Sequence, residues 1–411
     1  MSEAVSDRRS FHWLLVIFLA ALALRAGYVL TLDQEIQWND GREYYRLARS
    51  ISENRTYSNN DGSPTALWPP GYPVFLALSG GSTTITRIIQ AIIGAVSVLL
   101  AYAIAGRFMG YSKALLAAGS VAIYPLYIHA AGVFYPVVIL TLLMGGIVFL
   151  LLRALDEGSG KKSLLAGVLG GLMTVTKASS LLALGFVILW LLWENQRSKH
   201  IRTGMRLSVL FIVPIVLLAG AWSVRNYRAL GTPVLVSTNG GYNFWIGNFP
   251  GTKATTGNRE VPGREEEEGK IRSLHHGEVE LDRVFYQRGF EYIKKEPWRF
   301  IRLSLCKAFN LWRLYPDPLT RDIKRWEIMA CVMSYGILML FALYWLVMNA
   351  RKRSVARLIL LIFLAYTIVH ALYISKVRFR LPLDMLIAVA AAGGIGDLAK
   401  RLGIRILEQE Q

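Results

Sequence analysis

Apolar runs about as long as a bilayer is thick recur along the whole chain, and they leave few folds open. About twenty apolar residues in a helix cross the hydrocarbon of a membrane. Inside that hydrocarbon only helices and closed barrels satisfy their own backbone groups. The first run spans Phe11 to Leu32, behind Arg8 and Arg9. Later ones run near Thr84–Phe108, up to Tyr127, then over Val133–Leu152, Ser163–Val175, Ser179–Trp193, Leu207–Val224, Glu327–Met348, up to Ile374, and over Leu383–Ile395. A 54% hydrophobic content over 411 residues, with mean hydropathy +0.37, is more than soluble domains carry. The expected fold is an all-α polytopic membrane protein, a single domain over 1–411 with a bundle of about ten spans.

The net charge of +18 does not point to nucleic acid, because the basic residues cluster in short segments between apolar runs. Lys161 with Lys162, Glu194–Arg206, Arg351–Arg353 with Arg357, and Lys400–Arg405 read as cytoplasmic anchors, which puts both ends inside. The first run is too long for a signal-peptide core and has no small-residue cleavage site, so it reads as a retained span. Cys306 and Cys331 form no CxxC pattern, and nothing requires a disulfide.

This topology puts two polar segments outside, 33–83 and 229–326. The first contains the acid-bearing, aromatic stretch WNDGREYYRLARSISENRTYSNNDGSPTALWPPGYP, beginning at Trp38. Within it Tyr44, Leu47, Ala48 and Ile51 recur at helical spacing, and Pro69, Pro70 and Pro73 then turn the chain back. Asp40 sits within a few residues of the membrane edge, followed by Glu43. In the second segment, Glu265–Glu268 read as a solvated surface, and the adjacent His275 and His276 make a poor metal site. Residues 278–312 show helical periodicity broken by Pro297. The half after the break mixes Trp298, Phe300, Ile301, Leu305, Phe309 and Trp312 with Arg299, Arg302, Lys307 and Arg313, an amphipathic helix expected to lie at the interface. Arg25, inside the first run, is equally open to snorkelling or to pairing with an outer-face anion. A lone His129 is ordinarily a hydrogen-bonded histidine.

The outer-face groups are Asp40 and Glu43 with Lys177, Arg225, Arg228, Lys376, Arg378, Arg380 and Arg87. A carboxylate facing several cations is the electrostatics of a phosphate-bearing ligand plus a proton acceptor. Arg forks grip phosphate oxygens, Lys adds a point charge, and a carboxylate can deprotonate a hydroxyl.

The segments DGREYYRLA, TALWPPGYPVFLAL, TRIIQAIIGAVSVLLAYAIAGRFMG, TKASSLL, WSVRNYRALGTPVLVSTNGGYNFWIGN, EYIKKEPWRFIRLSLCKAFNLW and VRFRLPLDMLIAVAAA follow one another in order. Through them the chain resembles GT-C glycosyltransferases of the dolichyl-phosphate-mannose protein mannosyltransferase and aminoarabinose transferase type. The resemblance implies transfer of a sugar from a polyprenyl-phosphate carrier to a hydroxyl on a protein, lipid or glycan of the cell envelope. The transfer would invert the anomeric carbon and take place at the non-cytoplasmic face of the inner membrane. Asp40 matches the catalytic acid, with Glu43 beside it. Lys177, Arg225, Arg378 and Arg380 are the expected donor-phosphate ligands, and Arg87, Tyr44, Tyr45 and Asn243 further substrate contacts.

The chain departs from that pattern in having Gly41 where a second acid often follows, and FYPVVIL where an acid often opens the fourth span. No cofactor is therefore expected, and a divalent metal has no support. Two alternatives remain: an oligosaccharide ligase of similar architecture, or a transporter or flippase of lipid-linked sugars. Transporters usually place their polar groups near the midplane in repeated halves. No repeat is visible here, and the charges gather at one face.

Overall fold

The computed structural model describes residues 2–36, 39–197, 201–255, 261–316 and 324–403. It is helical throughout, and the one β feature among the described residues is an isolated bridge between Ser58 and Pro64. Helix α1 (Ser2–Leu30) leads to the first polar segment, which holds α2 (Asn39–Asn54) and α3 (Gly71–Leu78). The apolar bundle continues with α4 (Thr83–Met109), α5 (Tyr111–Ala122), α6 (Pro125–Gly132), α7 (Val137–Glu157), α8 (Gly160–Thr176), α9 (Ser180–Arg197) and α10 (Ile201–Leu230). The second polar segment holds α11 (Gly240–Asn248), α12 (Arg264–Leu274), α13 (Glu278–Lys295) and α14 (Pro297–Leu311). The chain closes with α15 (Arg325–Cys331), a π turn over Val332–Gly336, α16 (Ile337–Asn349), α17 (Ser354–Leu372) and α18 (Val377–Arg401).

Among the described residues, seven helical stretches are long and apolar enough to cross a membrane, and eight if the bent pair α5–α6 counts as one crossing. The expected ten would also need α8 and α9. These are shorter: α8 has 17 residues, and the apolar part of α9 ends at Glu194. Both pack against α10 within the bundle.

Helix α18 runs through the centre against α4, α5, α7 and α16. Every residue from Phe379 to Gly394 is buried, as a helix without a polar stripe requires. The helix already begins at Val377, so Arg378 and Arg380 lie in its opening turns. Pro382 near its start costs only one backbone bond.

The 47° bend between α5 and α6 answers the question of Arg25. The side chain is fully buried and does neither of the things the sequence left open. Its guanidinium donates to the carbonyls of Ala21, Val121 and Ala122 at 2.9–3.0 Å. The last carbonyls of a helix lack intrahelical donors, and in hydrocarbon such orphans are expensive; Arg25 supplies donors for two of them at the break. His129 exchanges a hydrogen bond with the Tyr28 hydroxyl at 2.8 Å.

The two polar segments fold onto each other. Glu278, the first residue of α13, accepts from the Thr65 hydroxyl and the Ala66 amide, each at 2.7 Å. Thr238 donates its backbone amide to the Ala66 carbonyl at 3.0 Å. In α14 the residues Trp298, Ile301, Leu305 and Phe309 are exposed in an apolar stripe, while Leu303, Lys307 and Leu311 are buried.

Candidate active site

Helix α2 is amphipathic for a clear reason. Gly41, Tyr44, Leu47 and Ala48 recur on one face and are buried, while the charged residues take the other. Tyr44 meets Trp68, Tyr72 and Tyr135 edge-on, with ring centroids 5.0, 5.1 and 6.3 Å away. Two glycines let the loop come this close. A Cβ at Gly41 would stand 2.9 Å from Ile36 and 3.0 Å from the Phe134 backbone oxygen. A Cβ at Gly71 would meet the Thr176 side chain and lie 2.9 Å from its Cα, one residue before Lys177. The first polar segment is thereby pressed against both the α6–α7 connection and the end of α8. The contact at Gly41 also shows why a second acid next to Asp40 has no room.

Asp40 lies in the first turn of α2, where a carboxylate is favoured by the helix dipole. Its Oδ2 accepts from Nη2 of Arg378, in the first turn of α18, at 2.8 Å. Two rings back this pair. The Arg378 guanidinium lies 4.6 Å from the Tyr135 centroid and 5.4 Å from that of Phe379. Lys177, just beyond α8, places Nζ 5.5 and 4.4 Å from the same two rings. Lys177 is partly accessible to solvent. Burial pushes its pKa down to about 7; the Arg378 cation adds to the shift and Asp40 opposes it. One carboxylate, two cations and two aromatic faces thus converge from α2, α8, the α6–α7 connection and α18. His370, in α17, stacks on Phe379 with centroids 4.6 Å apart. Its Nδ1 donates to the Ile374 carbonyl at 3.1 Å, which leaves Nε2 as a buried acceptor with no partner among the described residues.

The other residues singled out in the sequence sit elsewhere. Arg380 is fully buried: it pairs with Asp384 at 3.0 Å, donates to the carbonyls of Leu311 and Arg313, and lies 3.5 Å over the Tyr335 ring. Tyr335 is supplied by the π turn, and Tyr124 completes the network by donating to Asp384 at 2.8 Å. The described contacts of Arg380 are all with this network rather than with Asp40. Arg225 donates to the carbonyls of Thr65 and Tyr57, each at 2.6 Å, and fastens the first polar segment to α10. Arg87 does the same for the end of α1, donating to the carbonyls of Gly132, Asp33 and Glu35. Glu43 pairs with Arg46 at 3.0 Å on the outer face of α2. The Tyr45 hydroxyl donates to the Gly81 carbonyl, and the Asn243 amide to the Asn239 carbonyl. Among the described residues no three His, Cys, Asp or Glu side chains converge as metal ligands would.

Sequence reasoning passed over Tyr135, Phe379 and His370. The signal for two of them was present: Tyr135 lies in FYPVVIL and Phe379 between two arginines.

Residues 66–222 match the family model described as dolichyl-phosphate-mannose-protein mannosyltransferase. That stretch includes Gly71, Tyr135 and Lys177; Asp40 and Arg378 lie outside it. No curated protein matches the chain in sequence. Among solved structures, the archaeal oligosaccharyltransferase AglB from Archaeoglobus fulgidus, in complex with an inhibitory peptide and a dolichol-phosphate, superposes with a TM-score of 0.57 at 16% identity. That match covers 98% of this chain and 52% of AglB. The same enzyme in its apo form gives 0.58 at 16% identity, covering 97% and 52%. ArnT from Cupriavidus metallidurans bound to undecaprenyl phosphate matches over 97% of this chain and 81% of its own at 15% identity, with a TM-score of 0.40. The AglB matches speak to the fold alone, and the chain spans about half the length of those structures. The family model covers residues 66–222 of the 411, and the likeness to AglB shows a shared helical membrane-bundle fold.

Proposed function

We propose that the protein transfers a sugar from a polyprenyl-phosphate donor to a hydroxyl acceptor, inverting the anomeric carbon, at the non-cytoplasmic face of the cell membrane. The observation that carries this reading is the Asp40 carboxylate paired with Arg378 beside Lys177, at the end of an apolar bundle. The dolichol-phosphate in the AglB complex supports a donor of that class.

The chemistry follows from the three side chains. The donor phosphate docks against Arg378 and Lys177 and draws the guanidinium from Asp40. The freed carboxylate takes the proton of the acceptor hydroxyl. The acceptor oxygen forms its bond to the anomeric carbon from the face opposite the phosphate. The bond from that carbon to the phosphate oxygen breaks, and its electron pair leaves with the phosphate. The two cations stabilise that growing charge, which is the electrostatic share of the catalysis. Arg378 thus acts on both partners, holding the Asp40 carboxylate in place at rest and holding the leaving group in the transition state.

The test is whether the purified protein, given an undecaprenyl-phosphate sugar and envelope acceptors, releases undecaprenyl phosphate. A transporter would leave the donor intact.

A further inference from the structure

The buried face of α2 holds Asp40 and Tyr44. Its opposite face lines a separate cavity of about 330 Å³, bounded by Ile36 at one end and by Ser58, Asn59 and Asn60 at the other. That volume lies in the range of clefts that bind small ligands. Arg42, Tyr45, Arg46, Arg49 and Glu53 recur along it at helical spacing.

We infer that this groove binds the acceptor, and that the acceptor is a neutral carbohydrate. The inference rests on the transferase reading for the word acceptor, but the binding it describes does not.

The three arginines argue at first for an anion, and their partners decide against it. Arg42 pairs with Glu35 at 3.4 Å, Arg46 with Glu43 at 3.0 Å and Arg49 with Glu53 at 2.9 Å. The groove is therefore charge-compensated. It offers guanidinium donors beside the Glu53 carboxylate, as a ligand with many hydroxyls needs, since each hydroxyl both donates and accepts. The exposed side-chain amides of Asn54 and Asn60 line the same groove. Tyr45 adds an aromatic surface held in place by its bond to Gly81 and by Phe134, 6.4 Å away edge-on. The far wall is firm: Asn59 donates its backbone N–H to the Ser63 carbonyl at 2.8 Å, and the Ser63 hydroxyl donates to Asp61 at 2.6 Å.

One end of the groove lies close to the residue that follows Asp40. Ile36, at its end, lies against Gly41, where a Cβ would be 2.9 Å from its side chain. A sugar chain lying along α2 would end beside the residue next to Asp40.

The experiment measures binding, not turnover. The full chain in lipid nanodiscs is examined by saturation-transfer difference NMR with N,N′-diacetylchitobiose and mannobiose as neutral probes. A sulfated disaccharide and a Ser/Thr-rich hexapeptide are the controls. At least one neutral disaccharide should show saturable transfer. In the double variant Asn54→Ala/Asn60→Ala its dissociation constant should rise by about tenfold, the loss of one or two hydrogen bonds, with undecaprenyl phosphate binding unchanged. Asp40→Asn should leave the disaccharide signal intact. Absence of transfer from both neutral probes, indifference to the double variant, or stronger binding of the sulfated sugar or the peptide would each overturn the assignment. A failure of the transferase reading would show instead as an intact donor, with the groove still binding sugar.

Discussion

Arg378 and Asp40 are 338 residues apart in the chain, and their side chains meet at 2.8 Å. The contact joins the first polar segment to the central helix α18 and puts a carboxylate and a guanidinium on one aromatic wall. In the proposed mechanism this pair is the resting state of the site, and the donor phosphate replaces the carboxylate on Arg378.

Arg378→Ala should therefore weaken undecaprenyl phosphate binding by about ten- to a hundredfold, the worth of a charge-assisted hydrogen bond. Arg378→Lys should restore only part of it, because a lysine keeps the charge and loses the planar fork and its stacking on Tyr135. Isothermal titration in detergent measures both. An unchanged dissociation constant in Arg378→Ala removes this residue from the phosphate site.

Two residues further on, Arg380 should behave differently. Breaking a buried ion pair by removing one partner costs about 3–5 kcal/mol. Asp384→Ala should lower the stability of the folded protein by that order, read as a lower midpoint of thermal unfolding. On the surface of α2, Glu43→Ala should change it by no more than about 0.5 kcal/mol. Unaltered stability in Asp384→Ala would contradict the role given to the Arg380 network.

Lys177 gives the site a pH dependence. Its pKa is about 7 in the folded protein against an ordinary 10.5. The lowered value means that the folded state disfavours the charged form. Above 10.5 the lysine is neutral folded or unfolded and costs nothing. As pH falls from 10.5 towards 7, the unfolded chain takes up a proton that the folded one refuses, and stability is lost across that window. A bound phosphate reverses the preference and draws the proton in. Undecaprenyl phosphate binding should be strong near pH 7 and weaken towards pH 9; the second ionisation of a phosphate monoester, near pH 6, lies below this range. Lys177→Met should flatten the dependence. A wild-type profile already flat between pH 7 and 9 would count against the assignment.

The long polar segment should label from the same side as the first, because Glu278 is bonded to Thr65 and Ala66. Single cysteines at Asn60 and at Lys294 should react with an impermeant maleimide from outside, and one at Lys162 should not. A Trp298 probe should be quenched by brominated lipid at headgroup depth if α14 lies at the interface with its apolar stripe down. Labelling of positions 60 and 294 from opposite sides would overturn both the topology and the proposed side of the site. Asp317, which the sequence also places outside, lies beyond the described residues.

How much of this was legible in the sequence depends on what each residue answers to. Hydrophobic spacing is local, so the bundle and the amphipathic character of α2 and α14 could be read directly. The number of crossings could not, because α8 and α9 are short and the third span is two helices held at a break by Arg25, whose partners are about a hundred residues away. The site divides in the same way. Asp40, Arg378 and Lys177 stand out as charges beside apolar runs. Arg380 carries the same signal and ends in a different network, because two residues along the helix, about 200° of rotation, turn it toward Asp384 and Tyr335. Nothing local distinguishes a cation that faces the site from one that faces the core. His370 matters through its stacking on Phe379, which no spacing in the sequence records.

The most direct measurement is the rate of sugar transfer by Asp40→Asn. Asparagine keeps the size and hydrogen-bonding shape of the side chain and loses its capacity to take a proton. The variant should fold and bind undecaprenyl phosphate, and its transfer rate should fall by a factor on the order of 10² to 10⁴, the usual share of a general base. If Asp40→Asn retains most of the transfer rate while the donor is still consumed, Asp40 serves only to hold α2 against Arg378, and the base must be sought in another residue.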